Sequence, residues 1–286
     1  MTTAATALLI VFGGLVTNTG AALAVPDWPG TFGHNMFRFP WSQMVGGVFY
    51  EHSHRLIGAA VGLLTLALAA ALWPRGGPLR WLGALAVVAV AVQGLLGGLR
   101  VVLLTDALAI VHGMLAHAFL ALVVALALLT SRRMALASPP VDPVLRSLTL
   151  AGTGLVYLQI VLGALLTHAG YVSLHVAGAV AVYVVLPMVT ARLRRGGDAV
   201  AAPAARILLA LLLLQLVLGV GSYLARFSPL WIPGGQVTLL ALPVAHRLAG
   251  GLVLAAAVVL ALRVWTAAAA VRAGARPRAE IAGATR

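Results

Sequence analysis

Eight stretches of about 20 apolar residues follow one another along the chain, at roughly 4–24, 49–73, 80–100, 107–130, 145–167, 171–191, 204–225 and 241–266. About 20 such residues are what a helix needs to cross the hydrocarbon of a bilayer. Inside lipid every backbone N–H and C=O must find its partner within the protein, which leaves α-helices or a closed β-barrel. The stretches are too long for barrel strands and do not alternate polar with apolar residues. Helices are therefore predicted. Composition agrees, since 62% of the 286 residues are hydrophobic and 9% are charged. A mean hydropathy of +1.05 is incompatible with a surface made for water. The expected fold is an all-α integral membrane protein of eight transmembrane helices.

The formal charge of +13 does not point to nucleic acid, because a nucleic-acid binder gathers its charge on one solvated polar face. Here the arginines stand between spans. Arg75 and Arg80 follow the second, Arg132, Arg133 and Arg146 the fourth, Arg192, Arg194, Arg195 and Arg206 the sixth, and Arg272, Arg276, Arg278 and Arg286 form the tail. The opposite loops hold Arg38, Arg100 and Arg226. By the positive-inside rule both termini are cytoplasmic, odd spans run outward and even spans return. A location in the bacterial cytoplasmic membrane is expected. The sequence contains no cysteine, which excludes disulfides, thiolate metal ligands and thiol catalysis. The first stretch lacks a basic leader and a small-residue cleavage site, so it is taken as a permanent span.

The longest outer loop, "VPDWPGTFGHNMFRFPWSQMVGG" from Val25 to Gly47, is rich in Pro, Gly and aromatic residues. It fits either a cap over an outer site or an interfacial belt with Trp28 and Trp41 at the headgroups. Three odd spans carry a glutamine followed four residues later by a glycine: Gln93 and Gly97, Gln159 and Gly163, Gln215 and Gly219. Close helix packing accounts for that pattern, small residues letting helices approach and amides bonding across them. It also acts as a ruler for duplication. The chain reads as two pseudo-symmetric four-helix bundles, 1–140 and 141–286.

The even spans carry the histidines. His54, His112, His175 and His246 each lie about four or five residues into spans two, four, six and eight, so they are expected in one layer near the outer surface. Ionisable groups within spans are costly and usually functional. Paired imidazoles facing across a helix bundle are what a haem iron needs for axial ligation, and two pairs imply two haems. A closed zinc or copper site would instead bring three or four ligands together. His117 is a fallback ligand on span four. His52 points away from His54, His34 and His168 fall in outer loops, and His168 is near enough to reach a cofactor edge. The dipeptide His54-Arg55 is echoed by His246-Arg247. Arg55 and Arg247 either pair haem propionates or snorkel to the headgroups.

Glu51 precedes His54 by three residues and shares its helix face. It either acts on a proton or a developing charge beside a haem or caps the positive end of span two. The second half has Val172 and Pro243 at the corresponding positions, so an acid serves one pair only.

Together "EHSHRLIG", "VHGMLAH", "LHVAGA" and "AHRLAGG" resemble the haem A synthase family, membrane enzymes that convert haem O to haem A for terminal oxidases. The resemblance implies that His54 and His112 ligate the substrate or product haem, that His175 and His246 ligate a haem b cofactor, and that Glu51 is the catalytic carboxylate. It implies oxidation of a porphyrin methyl to a formyl group through successive hydroxylations, with the haem b passing electrons. Haem O synthase and the terminal oxidase assembly become expected partners beside the lipid bilayer, and a homo-oligomer is compatible. Some family members carry a cysteine pair in the first outer loop; this chain has none. Two rivals stand beside this reading. One is a dihaem b-type electron-transfer cytochrome linked to quinol, disfavoured because all four ligands lie near one surface. The other is a transporter, for which Pro187 is an isolated helix-breaking candidate.

Overall fold

The computed structural model describes residues 1–136, 138–230 and 232–283, with side chains described as far as Ala267. Among these there are eight α-helices and no β-strand: α1 (Thr2–Asn18), α2 (Gly47–Leu72), α3 (Gly77–Leu103), α4 (Asp106–Leu129), α5 (Pro143–Ala169), α6 (Val172–Arg195), α7 (Ala201–Phe227) and α8 (Gly235–Gly283). Seven are long and apolar enough to cross a membrane, α8 through its portion Gly235–Ala267. Pro187 does not break α6, which continues through it to Arg195. The tail arginines Arg272, Arg276, Arg278 and Arg286 lie outside the residues whose side chains are described.

The first helix is shorter than its apolar run. With 17 residues it is about 26 Å long at 1.5 Å per residue, against a hydrocarbon thickness of about 30 Å. Its last turn carries Thr17, Asn18 and Thr19, whose side chains bond back to the carbonyls of Gly13, Gly14 and Leu15 at 2.9, 2.8 and 2.8 Å. Gly20 then takes a φ of 70°, and Ala21–Ala24, expected in the span, pass into the loop. His168 moves the other way. It stands in the last turn of α5 and not in a loop, because the helix runs on to Ala169 and closes on Gly170 at φ 76°, a left-handed cap that glycine takes without strain.

Each helix packs on its chain neighbours, α1 also meets α4, and α5 also meets α8. Helices α1 and α4 both touch α8, and α4 touches α5. Two apolar clusters fill the interior. One joins Ile10, Val61, Leu72, Ala86, Phe119 and Val123 of α1–α4; the other joins Val156, Val182, Leu186, Leu208, Val253 and Leu260 of α5–α8. Both clusters lie toward the ends of the helices remote from the histidines. Dry packing thus closes one end of each group of helices, and the polar residues are collected at the other.

At the arginine-rich end Asp198, in the link between α6 and α7, ties several segments together. Its carboxylate accepts from Arg263 Nε at 3.0 Å to each oxygen, from Ser138 at 2.7 Å and from the N–H groups of Val200 and Ala201 at 2.8 and 2.7 Å. Arg263 also donates to the Leu136 carbonyl at 2.9 Å. Burial alone would raise the Asp198 pKa, but these donors prevail and hold it down at about 2.

Candidate functional site

His54 of α2 faces His112 of α4 with ring centroids 6.4 Å apart and planes at 77°. His175 of α6 faces His246 of α8 at 6.2 Å and 75°. The helices enter this layer with different lead lengths: His175 lies in the first turn of α6, whereas His246 lies about three turns into α8. Counting from helix starts therefore does not give the depth, and helix packing does. These four residues are partly buried, whereas His52 and His117 are sealed at 1% and 6% exposure. His117 bonds through Nδ1 to the Gly113 carbonyl at 2.9 Å and packs beside Gly251 of α8. Of the two span-four histidines, His112 is the one paired with His54.

Each paired ring rests in a notch made by a glycine of the preceding helix. A Cβ placed on Gly13, Gly97, Gly163 or Gly219 would lie 3.1, 3.4, 3.3 or 3.0 Å from Cε1 of His54, His112, His175 or His246 respectively. Three of these glycines belong to the glutamine–glycine pattern visible in the sequence. Gly13 was hidden because Leu9, and no glutamine, stands four residues before it. The recurring unit is thus a helix pair, used four times.

A haem fits these pairs by their separation. Two imidazoles bound through Nε2 to opposite faces of one metal, with bonds of about 2 Å, have centroids about 6.3 Å apart, and the observed separations bracket that value. The rings of His54, His112 and His246 lie near the backbone of Leu9, Gln93 and Gln215 respectively, four residues before the notch glycines, which leaves Nε2 as the nitrogen available to a ligand. No group of three His, Asp or Glu side chains arranged for a metal ion occurs among the described residues. The donor set is two pairs of imidazoles, suited to axial ligation of planar macrocycles.

Glu51 and Arg55 hold the outer loop. Arg55 donates to Glu51 at 2.7 Å, to the carbonyls of Asp27 and Gly30 at 2.7 and 2.9 Å, and to the Val25 carbonyl at 2.9 Å. The second oxygen of Glu51 accepts from the Val25 N–H at 3.0 Å. Both residues are engaged with the loop, and each terminal nitrogen of Arg55 makes two of these bonds. His52 continues the seam, with Nδ1 3.1 Å from Thr31 Oγ1 and its ring 5.1 Å from that of Phe39.

The loop is folded and not merely interfacial. Asp27 accepts from the N–H groups of Phe32 and Gly33 at 2.7 and 2.9 Å; slight burial opposes its ionisation, but these bonds and Arg55 keep its pKa below the ordinary carboxylate value. Trp28 lies against Gly98 so closely that no Cβ fits there. Gly98 is the neighbour of Gly97, the seat of His112, so the loop reaches the edge of the first pair. Trp41, by contrast, is 79% exposed, as a belt residue would be. Arg247 reaches Thr17 of α1 at 3.3 Å. His34 closes the small bridge to Thr31.

The family model described as cytochrome oxidase assembly protein, COX15-CtaA, matches residues 1–175. The chain belongs to this family. In the COX15-CtaA member described here the match runs from α1 to His175 and so takes in the outer loop, Glu51 and three of the four paired histidines. His246 lies beyond the matched residues. Membership carries a role in cytochrome oxidase assembly, in agreement with the haem A synthase family that the sequence motifs resemble. No curated protein matches the chain.

Proposed function

We propose that this protein is a haem A synthase of the bacterial cytoplasmic membrane. In this reading it oxidises a methyl group of haem O to the formyl group of haem A through successive hydroxylations, for use by terminal oxidases. The observation that carries the reading is the pair of facing histidine pairs at iron-bridging separation in a chain of the COX15-CtaA family. The two apolar clusters, drawn mainly from α1–α4 and from α5–α8 and meeting at Val258 of α8, support two pseudo-symmetric halves. The arginine distribution supports cytoplasmic termini and an outward-facing histidine layer.

His54 and His112 would hold the substrate haem, and His175 and His246 a haem b. The haem b, when bound, supplies a one-electron carrier. The chain's own work is placement. The glycine notches fix each imidazole against its neighbouring helix, the apolar clusters close the bundle beneath, and the outer loop closes it above. Glu51 is the carboxylate of the first half, and Val172 and Pro243 stand where the second half would need one. Because Glu51 also anchors the loop, any proton it takes must come while Arg55 stays bonded, or after Arg55 lets go. Arg247 remains the better placed of the two arginines for a propionate, since Arg55 is committed to loop carbonyls.

The test is mass analysis of the haems bound to purified protein coexpressed with haem O synthase. Wild type is expected to carry haem A or its hydroxymethyl intermediate together with haem b. Glu51→Gln, which keeps an acceptor for Val25 and removes the charge, is expected to accumulate haem O. Haem b alone in wild type, with haem O available, overturns the proposal and favours an electron-transfer cytochrome.

A further inference from the structure

Three arginines gather on the outer side of the histidine layer, at the seam between the two groups of helices. Arg100 stands on α3 three residues beyond Gly97 and acts electrostatically on both rings of the first pair, His54 and His112. Arg247 acts on His246 and donates to Thr17 Oγ1 at 3.3 Å, and Arg226 of α7 donates to Asn18 Oδ1 at 3.0 Å. Both therefore cross from the second group of helices to the end of α1. All three arginines act on His168 in the last turn of α5, and Asp106 is the acid that acts on it with them. The other acids of this side, Asp27 and Glu51, are taken up by the loop backbone and by Arg55. Neither ion pair among the described residues includes Arg100, Arg226 or Arg247.

Cations without counter-charges are costly beside lipid, and a carboxylate is the partner that a guanidinium fork matches best. Resting on the two-haem reading, we propose that Arg100 holds a propionate carboxylate of the haem on the first pair, that Arg226 and Arg247 hold those of the haem on the second, and that the two haems turn these edges toward each other at His168. Lipid headgroup phosphates offer the same anionic chemistry, but Arg100 and Arg247 are partly buried and lie beside the ligand rings. The two halves reach this arrangement differently, because Arg55, the counterpart of Arg247, is committed to the outer loop. The chemistry asks for such an anchor. Two axial imidazoles leave a porphyrin free to rotate about the axis that joins them, and a reaction at one methyl group requires that rotation to be fixed. Arg100 fixes it for the substrate and so sets which edge of the ring is presented for oxidation.

The experiment titrates the full chain, produced without haem and held in detergent, with protohaemin and with its dimethyl ester, and reads the bis-imidazole Soret band. His246→Ala leaves the first pair to be read alone, and His112→Ala the second. Each pair is expected to take the free acid about tenfold more tightly than the ester, the worth of a hydrogen bond to a charged group. Arg100→Gln is expected to remove that preference at the first pair and keep it at the second; Arg226→Gln is expected to weaken it at the second and keep it at the first. Structural damage alone would weaken acid and ester alike, so the ratio isolates the carboxylate contact. Haem-loaded protein purified from cells gives an independent arm. Taking a cation from beside a haem favours its ferric form, so in a potentiometric titration Arg100→Gln is expected to lower the midpoint of one haem and leave the other in place. Equal binding of acid and ester by wild type, which assigns the arginines to lipid headgroups, or an unchanged preference in Arg100→Gln, overturns this proposal and leaves the functional reading standing. Wild type that binds no bis-imidazole haem overturns both.

Discussion

Gly219 leaves the least room of the four notch glycines, with 3.0 Å between a would-be Cβ and His246 Cε1. An added methyl there has to push the imidazole or the helix, and overpacking of this kind costs about 1–3 kcal/mol. Gly219→Ala is expected to lose the haem of the second pair and retain that of the first, which pyridine haemochrome stoichiometry per chain reads as about one haem lost of two; the reciprocal loss is expected for Gly13→Ala. Gly98 presents the same problem to Trp28. Gly98→Ala is expected to displace the indole, seen as a shift in tryptophan emission, while the second pair keeps its haem. If both haems are lost together in each variant, the notches do not act pair by pair. The histidines themselves stand out in the sequence because an imidazole in an apolar run is conspicuous. Gly13 and Gly98 do not, because among 31 glycines only the partner across the interface identifies the ones that matter.

Among the elements, the outer loop is the one whose role changed most between sequence and structure. Composition left it as either a cap or an aromatic belt, and the seam through Glu51, His52 and Arg55 makes it a cap. Glu51 and Arg55 have side-chain exposures of 5% and 10%, so removing one partner leaves a poorly solvated charge, at a cost of about 3–5 kcal/mol for a fully buried pair and less here. Arg55→Lys replaces a planar fork by a point charge that cannot satisfy four acceptors at once. Limited proteolysis with chymotrypsin is expected to cut the Trp28–Trp41 region faster in Arg55→Lys than in wild type by about tenfold, consistent with a cost of about 1.4 kcal/mol in loop closure. Equal cleavage rates would mean that the cap does not depend on this seam. The same experiment on Glu51→Gln separates the two duties of Glu51: intact protection with lost oxidation assigns it to the chemistry, and lost protection assigns it to the cap.

For the molecule as a whole, the Asp198 and Arg263 pair fastens the end opposite the histidines. Asp198→Ala leaves Arg263, 2% exposed, without its carboxylate and is expected to destabilise the protein by about 3 kcal/mol, measured as a lowered thermal midpoint in detergent. The pair also gives a pH dependence. The folded pKa of about 2 lies below the ordinary 3.8, so the stabilisation is fully present above pH 3.8 and is lost as pH falls toward 2. Wild type is expected to lose stability across that window, and Asp198→Asn is expected to show a shallower loss there. Parallel acid profiles for the two proteins would assign the dependence elsewhere.

Length and hydrophobicity of the apolar runs settled the helical membrane fold, because a bilayer allows few solutions and each helix satisfies its own backbone locally. Imidazoles in apolar runs are few, which was enough to put forward His54, His112, His175 and His246 as candidates; spacing from helix ends did not pair them, and helix packing did. The tertiary structure decided what depends on contact between distant segments: that His112 and not His117 meets His54, that Arg55 serves the loop, that α1 stops at Asn18, and that Leu9 and Gly13 complete a fourth copy of the helix pair. A sequence fixes which groups a helix can present. Only packing decides which of them meet, because the rotation and depth of each helix are set by its neighbours.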